Sequence, residues 1–223
     1  PADAKGLLKS AIRDDNPVIF LEHKWIYRRI REQVPEDPDF LVPISVADVK
    51  REGDDVSIVT YGAMVHRALE AAQALESEGI SAEIVDLRTV YPMDEETVLR
   101  SIEKTSRAVV LSESYRFVGI AAEVASTIAE KAFEHLDAPV VRLSPPNVPV
   151  PFSPKIITRP LEGAAWAMSE RSAWIAALSP TITQRCCTCS LRARFSASSR
   201  RCARAAGGPS TASASRSATR ARP

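Results

Sequence analysis

The sequence has 223 residues, and its 29 Lys and Arg nearly balance its 28 Asp and Glu, but the formal net charge of +1 averages two unlike regions. Ten arginines and no Asp, Glu or Lys follow residue 170, which leaves residues 1–170 with 19 basic and 28 acidic side chains and a net charge of −9. This acidic region has no cysteine, no apolar run near the ~20 residues of a membrane span and no signal-peptide pattern, so we expect a cytoplasmic protein without a membrane partner.

The first predicted element is a helix over residues 3–13, whose apolar side chains recur at helical spacing. The pattern stops at "DDNP" (14–17), which is turn chemistry. The next residues, "VIFLE" (18–22), predict a short buried strand. Residues 25–53 hold three prolines and several charges, and they predict a crossing linker.

From residue 56 onward, predicted strands alternate with predicted helices of 12 to 18 residues. This alternation indicates βαβ units and an open, mostly parallel sheet over roughly 45–155, with helices on both faces because such crossovers are right-handed. Gly79 is predicted to end the first of these helices and Asp94 to cap the second. The predicted strands are residues 56–62, 82–87, 108–114 and 139–144, and the last helix is residues 119–136, with Ile120, Val124, Ile128 and Ala132 on its buried face.

The residues by themselves predict no catalytic side chain and no cofactor-binding side chain. Residues 1–170 lack a P-loop, a GxGxxG and a GxSxG motif. His23, His66 and His135 are isolated in sequence, and surface positions are favoured for the last two. The acidic pairs Asp54-Asp55 and Glu95-Glu96 fit a turn and a first helical turn, where negative charge suits the helix dipole.

The basic tail allows two further interpretations, and both are disfavoured. Cys186, Cys187 and Cys189 cluster, but Cys202 is distant and no histidine accompanies them, so the spacing does not match a standard zinc finger. The arginines could neutralise phosphates, but the tail has no interleaved aromatic residues and the rest of the chain is acidic. A nucleic-acid partner is therefore not predicted.

Five segments together resemble one protein family in the expected order. They resemble the beta subunit of the E1 component of 2-oxo acid dehydrogenases, the thiamine-diphosphate enzymes of pyruvate, branched-chain 2-oxo acid and acetoin metabolism. The segments are "DAKGLLKSAIRDDNPVIFLEHKWIY" (3–27), "VPISVADVKREGDDVSIVTYGAMVHRALEAA" (42–72), "ISAEIVDLRTVYPMDEETVLRSIEKT" (80–105), "AAEVASTIAEKAFEHLDAPVVRL" (121–143) and "NVPVPFSP" (147–154).

The resemblance implies a transketolase-like architecture. Residues 1–24 would be the end of a truncated pyrimidine-binding domain, 25–44 a linker and 45–160 a transketolase C-terminal-like domain. Residues 161–223 form a low-complexity Arg/Ala/Ser tail that we expect to be disordered, because it has too few aliphatic residues to order itself. Its composition is also typical of a GC-rich coding strand translated out of frame, so a frameshift near residue 163 is expected.

The resemblance also implies a function for the complete enzyme. It would bind thiamine diphosphate with Mg²⁺ between alpha and beta chains, decarboxylate a 2-oxo acid oxidatively and transfer the acyl group to a lipoyl arm. The implied partners are the E1 alpha subunit, a second beta subunit and the subunit-binding domain of the E2 acyltransferase. This chain alone is expected to be inactive. A noncatalytic assembly module and a fragment of a transketolase-type enzyme are the alternatives.

A potassium site at the end of the first helix is a further implication of the resemblance. The ligands would be the carbonyls of Ala11, Ile12 and Asn16 and an oxygen of Asp14. Oxygen ligands suit a hard cation at a helix C-terminus, where unpaired carbonyls are already negative. The alternative is an Asx-type turn that only ends the helix.

Arg88 and Asp94 stand in "DLRTVYPMD" (86–94), after a predicted parallel strand. Functional groups of α/β sheets usually lie at such strand ends. We nevertheless predict that both side chains are structural or interfacial, not catalytic.

Overall fold

A five-stranded sheet with four helices forms the centre of the computed structural model, which describes residues 1–24, 26–145 and 147. The predicted tail, its cysteines and residues 148–154 of the last family segment lie outside these described residues. The elements are α1 (Ala2–Arg13), β1 (Asp48–Arg51), β2 (Val56–Thr60), α2 (Met64–Ser77), β3 (Ala82–Asp86), α3 (Glu95–Thr105), β4 (Ala108–Leu111), α4 (Ile120–Lys131) and β5 (Val141–Leu143), with a 3-10 turn at Phe133–His135.

The strand order is β1-β3-β2-β4-β5, and all pairs are parallel except β1 with β3. Every residue of β2, β3 and β4 is buried, as expected for parallel strands covered on both faces. Val59 and Val85 pack in one cluster with side chains of α3 and α4. Ile58 and Ile84 point to the opposite face, where α2 contacts β2 and β3. The predicted open, mostly parallel α/β fold is confirmed.

Two helix ends follow from local sequence signals. Gly79 has φ +80, and the N–H groups of Gly79 and Ile80 donate to the carbonyls of Glu76 and Leu75, each at 3.0 Å, which is a Schellman motif. At the start of α3, Asp94 accepts a hydrogen bond from the Thr97 N–H. Both predicted ends are confirmed.

Three expectations about the elements are wrong. Residues 18–22 are not a strand, and among the described residues between α1 and β1 none belongs to one. Ile19 and Leu21 are 87% and 84% exposed, because the segment has no neighbouring strand to pair with. Asp48–Arg51, which lies within the stretch 25–53 that was predicted to be a linker, instead forms β1, a charged edge strand. Ile120, which was expected on the buried face of the last helix, is 36% exposed at the first residue of α4.

One buried carboxylate near the amino-terminal end of the sheet has a single lysine as its counter-charge. The Glu83 side chain is 3% exposed and forms an ion pair with Lys104, which also pairs with Glu52. The Gly53 N–H donates to Glu83 at 3.4 Å. Breaking a buried pair is costly because it leaves a desolvated charge without compensation.

None of the described helices has the length and apolar character that would let it cross a membrane.

We predict that Lys104→Met lowers the free energy of unfolding by about 2 kcal/mol, less than for a fully buried pair because Lys104 is partly exposed. Adding Glu83→Gln should recover at least half of the loss, since the uncompensated charge is then removed. Lys131→Met is the matched control: its partner Glu95 is exposed, so the change should stay within about 0.5 kcal/mol. Urea denaturation measures all three, and equal losses for the single and double variants would contradict the interpretation.

Candidate functional site

The carboxyl ends of β2, β3 and β4 meet at one edge of the sheet because these strands are parallel. We call the residues that follow them, 61–63, 87–94 and 112–119, the carboxyl edge. β1 runs the other way, and its first residue, Asp48, lies opposite Asp86. The start of β1 therefore reaches the same edge.

Hydroxyl groups join the end of β2 to the loop after β4. The Tyr61 hydroxyl lies 2.8 Å from Ser112 Oγ and 3.2 Å from Ser114 Oγ, and the Ser114 N–H donates to Ser112 Oγ at 3.0 Å. Below them, Thr60 Oγ1 donates to the Leu111 carbonyl at 3.0 Å. These hydroxyls bond to one another and to backbone, with no general base within the network, so the arrangement fixes the loop.

The three histidines are less isolated than expected from the sequence. His23 Nε2 lies 3.1 Å from Glu113 Oε2, a contact between residues 90 positions apart that no local pattern could reveal. His66 is half-buried, and burial lowers its pKa, followed by the positive charges of the chain N-terminus and Lys50. The prediction of a surface position is therefore wrong for His66, which is only partly exposed. His135 is largely exposed, as predicted, with Nε2 3.8 Å from Glu103 Oε1.

Arg88 lies at the carboxyl edge in the left-handed backbone region, with φ +55. The Arg88 N–H donates to Asp86 Oδ1 at 3.0 Å, and this bond holds the turn. The guanidinium pairs with Asp3 of α1 at 2.7 Å and with Asp48 of β1 at 2.9 Å.

Lys50 of β1 joins the same group. Its Nζ lies 2.7 Å from Asp3 Oδ2, 2.7 Å from Asp48 Oδ2 and 4.0 Å from Asp86 Oδ2. We call this set the edge ion cluster, and it consists of Asp3, Asp48, Lys50, Asp86 and Arg88. The cluster connects α1 to the sheet, which supports a structural role for Arg88.

Asp94 has a structural role as well. Its oxygens accept from the Thr97 N–H at 3.0 Å, the Thr97 hydroxyl at 2.7 Å and the Ala47 N–H at 2.9 Å. Partial burial raises the pKa of Asp94, but these hydrogen bonds outweigh it and hold the pKa below the ordinary 3.8. The carboxylate thus caps α3 and fixes the segment before β1. An interfacial role for either Arg88 or Asp94 stays a prediction.

Apolar side chains project from the loops of the carboxyl edge. Tyr91 is 90% exposed, Phe117 74% and Val118 82%. Val118 has φ +56, and Gly119 next to it has no space for a side chain, because a methyl group there would overlap the Tyr115 carbonyl. Exposed apolar loops of this kind are typical of surfaces that contact other proteins.

The four predicted potassium ligands lie at the exposed end of α1. Asp14 Oδ1 accepts from both the N–H and the side-chain amide of Asn16, at 2.8 and 3.0 Å, which is the geometry of an Asx turn. These two bonds lower the pKa of Asp14, the backbone bond contributing more. Ala11 is half-buried and Ile12 is 74% exposed. The structure brings Asp14 and Asn16 together, and ion binding at this turn stays a prediction.

Among the described residues, no group of three or more His, Cys, Asp or Glu is placed to hold a metal ion. The three carboxylates of the edge ion cluster already have Lys50 and Arg88 as partners. The polar contacts of this edge hold neighbouring elements in position.

The family model for the transketolase C-terminal domain matches residues 45–161. The chain is 55% identical over 153 residues to the pyruvate dehydrogenase E1 component subunit beta of Bacillus subtilis, and 51% identical over 155 residues to the 2-oxoisovalerate dehydrogenase subunit beta of the same organism. Each match covers 69% of this chain and 47% of the relative, so the chain spans about half the length of the curated relatives it matches.

A solved structure described as a split-gene transketolase, an inactive beta4 tetramer, is also similar. It is 32% identical, with a TM-score of 0.51, and the match covers 69% of this chain and 48% of that one.

We predict that Asp94→Ala costs about 1–2 kcal/mol of unfolding free energy at pH 7, because the helix loses its cap and the Ala47 N–H its acceptor. Since the folded-state pKa of Asp94 lies below its unfolded value of 3.8, the contribution is complete above that value and is lost as the pH falls through the folded-state pKa.

The difference between wild type and variant should accordingly be large at pH 7 and shrink below pH 3.8, as measured by urea denaturation. Asp39→Ala, at an exposed ion pair with Arg13, is the control and should change little at either pH. A difference that is the same at both pH values would show that the charge of Asp94 contributes nothing.

Proposed function

The chain belongs to the transketolase C-terminal domain family, and on that premise we propose that it is the carboxyl-terminal part of the beta subunit of a 2-oxo acid dehydrogenase E1 component. The observation that carries the proposal is the 48–55% identity, over 153–155 residues, to beta subunits of pyruvate and 2-oxoisovalerate dehydrogenases. The complete enzyme would be a cytoplasmic bacterial oxidoreductase that decarboxylates a 2-oxo acid and transfers the acyl group to lipoyl-E2.

Assembly is the contribution that we assign to this part of the subunit. Two surfaces support the assignment. The carboxyl edge exposes Tyr91, Phe117 and Val118, and the segment from α1 onward exposes Ile12 and Ile19. We propose that the E1 alpha subunit, a second beta subunit and the E2 subunit-binding domain are the partners, and that the rest of the pyrimidine-binding domain covers the segment around α1.

Thiamine diphosphate with Mg²⁺ is the cofactor implied for the complete enzyme, and the described residues do not fit it. Magnesium needs several oxygen ligands at one place, and the clustered carboxylates at the edge are taken by Lys50 and Arg88. We assign the cofactor site to other parts of the complete enzyme. For K⁺ we retain Ala11, Ile12, Asp14 and Asn16 as the proposed ligands.

A second candidate is a fragment of a transketolase-type enzyme. It is favoured by the similarity to the split-gene transketolase, whose description also names a tetramer of beta chains. The higher identity to E1 beta subunits favours the first candidate.

We expect residues 1–160 to complete an active E1 when joined to the amino-terminal half of the B. subtilis pyruvate dehydrogenase E1 beta subunit and produced with its alpha subunit. Decarboxylation of pyruvate and of branched-chain 2-oxo acids, with reductive acylation of a lipoyl domain, is the measurement. The unmodified B. subtilis subunit serves as the control. An assembled hybrid that transfers ketol groups between sugar phosphates and leaves 2-oxo acids untouched would favour the second candidate.

The 223-residue chain by itself should show no saturable, magnesium-dependent binding of thiamine diphosphate in calorimetric titration, because the needed ligands are not among its described groups. The hybrid enzyme is the positive control for the same titration. Saturable binding by the chain alone would overturn the assignment of the cofactor site to the rest of the enzyme.

A further inference from the structure

Helix α1 is held in place mainly by polar contacts. Among the residues of α1, all of which the structure describes, Gly6 is the only buried one. Gly6 lies so close to Val42 that a methyl group there would overlap it, and Ser10 Oγ donates to the Val42 carbonyl at 2.6 Å. Toward the sheet, Asp3 pairs with Lys50 and Arg88. The position of α1 on the sheet therefore depends on the edge ion cluster.

We propose that the edge ion cluster is a proton-linked latch for α1: the helix docks more firmly on the sheet when Asp86 carries a proton, and it is released more easily when Asp86 is ionised. This proposal concerns the chain itself and does not depend on the proposed enzymatic function.

The charge balance of the cluster favours the uptake of one proton when α1 docks. It holds three carboxylates and two cations, so it has a net charge of −1 with Asp86 ionised and is neutral with Asp86 protonated. If α1 leaves, Asp3 leaves with it, and the remaining four groups are neutral with Asp86 ionised. Docking thus adds a negative charge that one proton would compensate.

The geometry of the cluster identifies Asp86 as the group that takes up the proton. Asp3 and Asp48 hold both cations at 2.7–2.9 Å, whereas Asp86 Oδ2 is 4.0 Å from Lys50. The Asp86 residue is also only 8% exposed. Asp86 is therefore the least compensated and most desolvated carboxylate of the cluster, and such a setting destabilises its charged form.

The directions of the pKa shifts agree with this geometry. Burial raises the pKa of Asp86, and the charge of Asp3 raises it further, against the lowering effects of the Arg88 N–H and Lys50. For Asp3, burial raises the pKa, but hydrogen bonds and charges from Lys50 and Arg88 outweigh it and lower the pKa overall.

The sign of the pH dependence follows by linkage. Because docking raises the pKa of Asp86, it is favoured as the pH falls through that pKa. Because docking lowers the pKa of Asp3, it is lost when the pH falls further, through the pKa of Asp3. Docking of α1 should therefore be strongest at pH values between the pKa of Asp3 and the pKa of Asp86, and weaker above the pKa of Asp86.

The titrations of other charged groups near the cluster must be distinguished from the titration of Asp86. On α2, half-buried His66 is affected by the charge of Lys50, and its pKa is lowered mainly by burial. In the segment after α1, Glu32 pairs with the N-terminal ammonium of Pro1 at 3.0 Å and is affected by Asp3. His66→Gln and Glu32→Gln variants remove these two titrations and should leave the pH optimum of docking in place.

The backbone turn at Arg88 is held by a hydrogen bond to Asp86 itself. Arg88 has φ +55, a backbone region that non-glycine residues rarely occupy, and the bond from the Arg88 N–H to Asp86 Oδ1 maintains this conformation. An asparagine at position 86 retains that acceptor. Asp86→Asn therefore removes the titration and preserves the turn.

The first test is the titration of Asp86 in the full chain, followed by the carboxyl carbon chemical shift. Asp3→Asn should lower the pKa of Asp86 relative to wild type, and Lys131→Gln, a charge change at the distant Glu95 pair, should not. An Asp86 pKa that is equal in wild type and Asp3→Asn would overturn the proposal.

The second test is hydrogen exchange of the α1 amides at pH values that span the Asp86 titration found in the first test, expressed as protection factors so that intrinsic rates cancel. Wild-type protection should fall with rising pH while that of β2 and β3 stays constant. Asp86→Asn should remove this dependence and raise α1 protection at a pH above the Asp86 titration, by about tenfold for each unit by which docking moves the Asp86 pKa. A pH dependence that persists in Asp86→Asn would overturn the proposal, and if this variant fails to fold, the Asp3→Asn titration decides.

Discussion

The structure depends on the complete burial of three parallel strands. Each residue of β2, β3 and β4 is shielded from solvent, and a parallel sheet buried in this way needs helices on both faces. α2 covers one face, while α3 and α4 pack together on the other. The positions of the loops, of the caps and of the carboxyl edge all follow from this arrangement.

Burial of the strands also determines where charges can lie. At the amino-terminal end of the sheet, Glu83 requires Lys104 because its side chain is within the buried strand β3. At the opposite end, Asp86 is the last residue of the same strand, and Lys50, Asp48 and Arg88 gather around it. Each end of β3 thus carries an ionic contact, and the buried residues Ile84 and Val85 lie between them.

The candidate site is best understood as a set of contacts between elements. A hydrogen bond between hydroxyl groups connects Tyr61 to Ser112, and the edge ion cluster connects α1 to β1 and β3. Asp94 connects α3 to Ala47 through its carboxylate. The apolar loop residues project from this rigid base. Exposed apolar loops held by such contacts fit the assembly role that we propose for this chain. The chain spans about half the length of its relatives, which is consistent with that role.

The sequence by itself determined the features whose signals are local. Strand and helix periodicity, the glycine at the end of α2 and the aspartate cap of α3 depend on neighbours within a few residues, so they were predictable. The family motifs determined the fold class in the same way. Only the tertiary structure decided β1, the exposed state of residues 18–22, the His23–Glu113 contact and the pairing of Asp3 with Arg88, 85 positions apart. An extended segment becomes a strand only if a neighbouring strand pairs with it, and a charged side chain forms an ion pair only if an opposite charge lies close by. These neighbours are distant in sequence and come together only when the sheet forms, so no local sequence pattern reveals them.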